Sequence, residues 1–453
     1  MIGSVRRMFR ATTHVALFSG AVVGMATSAI QAQDAAAVVK SGDNTALVKP
    51  EGSKEWSLTK MGEKIPEGAQ VLAGRRSLIV APDGDVSLEF RGDLAGISPF
   101  PIHETVVQLK KPGEGIDLEI TPQRGRVDLV NTKKEGAAVV KIHLFGETAL
   151  IKLKTPETRF TLEMYGRWAA GESFNRNYSK VQLPTISVVL VVTKGEIEIS
   201  HEEVTTRLSA PPGPAKIAFN NHTVGYIKPE FLEKLPEWAT DNFKSDSPLI
   251  AARFASAVKF FDLLKEKGDI PAAMESLAAS ENETDRRLAI FAMGATDNLD
   301  SLWSTMLTLK TSEVIDDAVI ALRHWIGREP GQDAKLWDYL VNKRKYTETQ
   351  ADQTLDLLHS PSKSDLARPE YYEHLILLLN AKRDMPRVLA YWHLVRLVPQ
   401  GAAINFNPLG KPEERKEAAA KWANLIPKGK LPPQAVSNDK ETESKPAVDV
   451  KKK

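Results

Sequence analysis

The sequence predicts a multidomain chain, β first and α second: a sandwich or roll of short strands, then an array of helical hairpins. Three observations carry this reading. Over residues 38–219 apolar and polar residues alternate, the period of two that marks half-buried strands. From Leu249 onward the apolar residues recur at helical steps. Between the two, residues 229–248 (PEFLEKLPEWATDNFKSDSP) hold three prolines and read as a linker. The expected organisation is a leader over 1–32, strands over 38–228, the linker over 229–248, helices over 249–430 and a disordered tail over 431–453. Halves joined only by such a linker are expected to fold separately.

The leader comes first. Arg6, Arg7 and Arg10 precede an apolar or small stretch over 15–30, no acidic residue occurs before Asp34, and small residues lead up to Ala32. This is the pattern of a secretory signal peptide cleaved near Ala32, and it predicts a periplasmic or secreted protein. A retained segment would instead anchor the chain to a membrane, although it falls short of the ~20 apolar residues of a spanning helix. The chain has no cysteine, which excludes disulfides, a thiolate nucleophile and Cys-based zinc sites, and suits a bacterial periplasm. The formal charge of +2 includes the three leader arginines, so the remainder sits near −1. Such balance lacks the basic excess that nucleic acid calls for, and no nucleic-acid partner is expected.

In the β half, Val86, Leu88 and Phe90 alternate with polar neighbours, as do Leu118 with Ile120 and Val127 with Leu129. The same holds for Val140, Ile142 and Leu144, for Phe160, Leu162 and Met164, and for Ile197 and Ile199. Residues 186–192 (ISVVLVV) are almost continuously apolar, which predicts a strand buried on both faces. Asp83-Gly84, Pro112-Gly113, Gly125, Gly146, Gly195 and Pro211-Pro212 punctuate the gaps.

The order of Trp56, Gly62, Pro66, Gly68 and Leu72, with Asp83-Gly84 leading into Val86, Leu88 and Phe90, resembles the opening of a FecR-like domain, a β-domain of the bacterial envelope. Gly125-Arg126-Val127, Gly195-Glu196-Ile197 and Thr155-Pro156 extend the resemblance over about 180 residues. Two departures are plain: Ala73 stands where the family usually has Thr, and residues 163–168 replace a Val-x-Gly-Thr-x-Phe-like segment. The resemblance implies an exported, mostly non-enzymatic protein. It does not bring a sigma-factor regulatory role with it.

Past the linker, Ile250, Phe254, Ala257, Val258, Phe261 and Leu264 make one apolar stripe. The segments beginning at Glu283 and Glu313 align at an offset of thirty residues and resemble the second helices of HEAT-like repeats. Further helices are expected over 334–343, 348–358, 369–381 and 386–398, and from Pro412 to about Ile426. After Pro433 the chain is polar and cannot bury enough to order itself.

Chemistry is sparse. Nine histidines occur singly, and no metal spacing, nucleophile elbow, dinucleotide fingerprint or phosphate loop is present, so no metal and no cofactor is expected. Glu196 and Glu198, with His201, Glu202 and Glu203, are the one acidic group that could suggest glycoside chemistry. A charged edge strand accounts for them better. Phe160, Tyr165, Trp168, Phe174 and Tyr178 cluster with Arg159, Arg167 and Arg176, and Trp238, Trp303, Trp325, Trp337, Trp392 and Trp422 recur in the α half. Packing onto the β-core and between helices explains most of these aromatics; large aromatics also anchor partners in grooves, and Trp325, Trp392, Trp168 and Tyr165 are the candidate partner-binding residues. The reading is a non-catalytic binding or scaffolding module of the periplasm, with a protein or envelope polymer as partner. The alternatives are a FecR-type signalling protein with a retained anchor, and a glycan-active enzyme.

Overall fold

A single bent strand organises the β half. In the computed structural model the described residues are 35–433, apart from 43–44, 74–76, 94–96, 177–182, 226, 241–246 and 309–311; the expected leader, Tyr178 and the tail after 433 lie outside them. Strand β9 (Leu118–Asn131) pairs through its first half with β8 (Thr105–Lys110) and, in parallel, with β10 (Ala138–Leu144). Through its second half it pairs with β7 (Val86–Arg91) and β12 (Arg159–Arg167), both antiparallel. The change of partners falls at Pro122 and Gly125. Pro122 withholds a ladder N–H beside a register shift in β8, and Gly125 has φ 92°. A Cβ there would overlap the Glu104 carbonyl and the Thr105 Cα, so only glycine fits the bend. The alternations at Leu118 and at Val127 therefore belong to one strand, and Gly125 is its corner, not a gap between two strands.

On either side of β9 the sheet spreads into two layers. One continues from β7 through β6 (Leu78–Val80), β1 (Ala37–Val39) and β4 (Lys64–Ile65), and from β12 through β13 (Thr185–Lys194), β16 (Gly213–Asn220) and β17 (Glu230–Leu232). The other continues from β8 through β5 (Gln70–Ala73), β2 (Ala46–Lys49) and β3 (Ser57–Leu58). Beyond β10 it runs through β11 (Glu147–Leu153), β14 (Glu196–His201) and β15 (Val204–Ser209). Phe90, Leu129, Phe160, Leu162 and Leu190 of the first layer share one buried cluster with Val107, Leu118, Ile142, Leu153 and Ile197 of the second. Each such side chain stabilises the fold by roughly 1.5–3 kcal/mol. In β13, Val188, Val189, Leu190, Val191 and Val192 are all buried, the two-faced burial expected of ISVVLVV. The sheet also outruns its expected end at 228. Glu230, Phe231 and Leu232 pair with β16 as an edge strand, so the start of the expected linker belongs to the sheet.

The α half contains α1 (Pro248–Lys267), α2 (Ile270–Ala278), α3 (Glu283–Ala295), α4 (Leu299–Thr308) and α5 (Ser312–Gly327). Then come α6 (Gln332–Asp338), which runs into a π-helical turn, α7 (Glu348–Leu358), α8 (Lys363–Leu366), α9 (Pro369–Leu378), α10 (Asp384–Leu397) and α11 (Pro412–Leu425). Caps set the boundaries. Gly268 ends α1 in the left-handed region, and the Asp269 side chain accepts the Ala272 N–H at 2.8 Å to start α2. The two segments aligned in sequence become α3 and α5, which pack on each other.

The halves share more than a linker. The helical hydrophobic cluster takes in Leu47 of β2, and Trp56, Leu58, Leu72, Trp168 and Phe174 pack against it. The described residues accordingly form one compact unit, which corrects the expectation of halves that meet only through residues 229–248.

Candidate functional site

The seam between the halves is built on β12. Its even positions, Phe160, Leu162 and Met164, enter the sheet core, while Thr161 and Glu163 on the opposite face are also buried. Glu163 is satisfied from its own half: Arg126 Nε donates at 3.1 Å and Ser98 Oγ at 2.8 Å. Burial pushes its carboxyl up despite those partners. Two positions on, Tyr165 stacks on one side with Phe100 (centroids 5.7 Å apart) and on the other with His324 of α5 (5.4 Å).

The next residue lets the halves touch through their backbones. A Cβ on Gly166 would sit 2.5 Å from the Gly327 carbonyl oxygen, and one on Gly327 would sit 2.8 Å from the Arg167 Cα. Side chains are excluded at both positions. That approach seats the following segment on the helices. The Trp168 indole donates to the Ile326 carbonyl at 3.0 Å, the Gly171 N–H to the Ser360 carbonyl at 2.8 Å, and Arg176 pairs with Glu348 and, at 3.2 Å, Asp352.

Beside this contact lies a buried ionic network. Glu104 accepts from Arg124 Nε at 2.6 Å and contacts His324 Nε2 at 3.1 Å. Arg124 reaches the Ala295 carbonyl at 3.0 Å, and Arg328 reaches the Gly294 carbonyl at 3.0 Å and pairs with Asp297. Burial alone would raise the Glu104 carboxyl, but His324 and Arg124 outweigh it and hold the group well below the usual carboxylate range. Glu104, Arg124, His324 and Arg328 are nearly inaccessible, and their contacts with one another and with Gly294 and Ala295 fix how the halves meet.

Above the network a cleft of about 540 Å³ opens between the end of β12, residues 168–170, α5, the end of α7 and α10. Tyr165, Trp168, Ile320 and Trp392 form its walls; Arg167, Arg323 and Arg396 bring three positive charges, and no carboxylate lines it among the described residues. The Trp392 indole lies between two guanidiniums, Arg396 at 4.5 Å and Arg323 at 5.3 Å from its centroid, and donates to Asp316 at 2.6 Å. Asp316 also pairs with Arg396 at 2.9 Å. Arg323 donates to Ser360 Oγ, and burial lowers its pKa. Among the described residues neither Arg323 nor Arg167 has a carboxylate partner.

Three of the four candidate binding residues, Tyr165, Trp168 and Trp392, thus line one cleft. Trp325 does not. It lies on the far side of α5, 3 % exposed, with its indole donating to Asp297 at 2.9 Å. Trp303 and Trp422 are fully buried, and Trp337 donates to Asp352 at 2.9 Å beneath Arg176. Trp238 lies under Arg126, with the ring centroid 5.0 Å away. Phe160 is core and Phe174 packs on the helices. The acidic group on β14 does not converge: Glu198 is held by Lys154 and Arg207, each at 2.9 Å, while His201 contacts Glu147 at 3.6 Å. The sequence reading did not single out Arg323, Arg396 or His359, because helix arginines and a lone histidine carry no distinguishing pattern. The one available signal was glycine inside a strand pattern at Gly166, which marks close backbone approach.

Among the described residues no group of three or more His, Asp or Glu could hold a metal, and no helix is long and apolar enough to cross a membrane. Comparison with protein-family models, with curated proteins and with solved structures finds no match.

Proposed function

We propose that this chain is an exported, non-catalytic binding module of the bacterial envelope, a FecR-like β-domain joined to a HEAT-like helical array, that holds its partner in the cleft at the seam. The observation that carries the reading is the cleft itself: both halves contribute walls to one open, cationic and aromatic concavity, with no nucleophile–base pair among the described residues that line it. The two-layered, strand-rich sheet supports the FecR-like half, and the packing of α3 on α5 supports the helical repeat.

The test is a photo-crosslinking amino acid placed at Ala170, which is exposed and lines the cleft, in the full chain expressed in a bacterial host. A discrete adduct is expected from Ala170 and not from Met61, which is 66 % exposed on the β half. Equal labelling at both positions, or none at Ala170, would remove the cleft as the binding site.

A further inference from the structure

Pockets without a carboxylate but with several arginines call for an anion, and the particular groups here narrow its chemistry. Sugar recognition needs an open aromatic face, which this cleft lacks on two of its three rings. Tyr165 is stacked between Phe100 and His324, and Trp392 is held between Arg323 and Arg396. What remains free is hydrogen-bonding capacity. Arg323 is held in place by the Trp392 face and by Ser360, which leaves the rest of its fork without a carboxylate, and Arg167 stands exposed across the cleft.

The helix directions limit the charge. α5 ends at Gly327, α7 at Leu358 and α10 at Leu397, so three C-terminal ends, each with negative partial charge, converge here. They offset part of the guanidinium charge and favour a monoanion over a phosphate dianion.

His359 supplies the complementary group. Its Nδ1 lies 3.0 Å from the Glu172 carbonyl oxygen, which can only accept, so Nδ1 carries the proton. Burial depresses the ring's pKa to about 4, so at neutral pH the ring is uncharged and Nε2 is an acceptor. That atom has no partner among the described residues, and His359 lines the cleft. An oxyanion next to an N–H donor is what the end of a peptide offers, and Ile320 and Leu358 provide an apolar surface for its last side chain.

We infer that the cleft binds a peptide C-terminus with an apolar final residue, the α-carboxylate taken by Arg323 and Arg167 and the last amide N–H donated to His359 Nε2. This rests on the binding role proposed above and names its ligand. The test is calorimetric titration of the full chain with N-acetyl-Ala-Ala-Leu as the free acid, with its C-terminal amide, and with inorganic phosphate. The acid is expected to bind, the amide to bind about tenfold or more weakly, and phosphate not to compete. Arg167→Gln, exposed and outside the packed core, should weaken the acid and leave the melting temperature unchanged. Arg323→Gln should weaken it further, with folding checked by circular dichroism. Equal affinity for acid and amide, or phosphate displacing the acid, overturns the inference. Failure of the acid to bind while the Ala170 adduct persists overturns the ligand class alone; loss of both overturns the binding role as well.

Discussion

At the level of single residues, the same substitution has opposite signs at two glycines. Gly166→Ala places a methyl 2.5 Å from the Gly327 carbonyl, and neither backbone can move without parting the halves. Overpacking of this kind costs about 1–3 kcal/mol, read as a lower midpoint in urea. Gly294→Ala lies within α3, where the new methyl meets Ala321 Cβ at 3.7 Å, an ordinary contact. It should gain about 0.5–1 kcal/mol from helix propensity, measured the same way. Buried histidines set the pH response. Burial holds His103 at about 3 and His359 and His393 at about 4, all below the unfolded value of 6.5. The unfolded chain therefore takes up protons on these rings before the native chain does, and stability is lost as pH falls from 6.5 towards 4. Asp317 works against this: burial raises it to about 6, so the native state holds a proton there that the unfolded state lacks above pH 3.8. Three histidines against one aspartate leave a slope of about 2–3 kcal/mol per pH unit near pH 5. Urea midpoints between pH 7 and 4.5 check it; a flat profile would contradict the neutral, buried state of these rings.

At the level of elements, what could be read from sequence was whatever local chemistry decides. Helix α7 spans Glu348–Leu358, as its sequence pattern predicts, because Thr347 and Gln350 form a reciprocal capping box. Thr347→Ala should cost about 1 kcal/mol in thermal or urea unfolding. Strands β7, β10, β12 and β13 were legible because inward positions alternate or, in β13, because both faces are covered. β9 was not. Pro122 and Gly125 look like the end of one strand and the start of another, and only pairing to four neighbours makes them a corner. The cleft was half legible. Tyr165, Trp168 and Trp392 stand out as large aromatics near arginines, but their meeting depends on a contact between Gly166 and Gly327 that no local period encodes. Trp325 and Trp392 look equivalent in sequence; α5 turns the former into the core while α10 leaves the latter at the cleft.

At the level of the whole molecule, the buried charges decide whether the halves can act apart. Arg124 and Glu104 on the β side and His324 and Arg328 on the α side are all nearly inaccessible. Parting the halves would leave the Glu104 carboxylate without His324 and Arg328, and Arg124 without the carbonyl of Ala295. Losing one partner of such a set typically costs about 3–5 kcal/mol. A cleft whose walls come from both halves exists only while this seam is closed. Native-state hydrogen exchange read by mass spectrometry is the most direct test, following peptides from β13 and from α10 in the intact chain across a urea series below the unfolding transition. Equal opening free energies for the two peptides are expected, both converging on the global value. Exchange of α10 at a clearly lower free energy, with β13 still protected, would mean that the helical array opens on its own and that the cleft is not a fixed property of the fold.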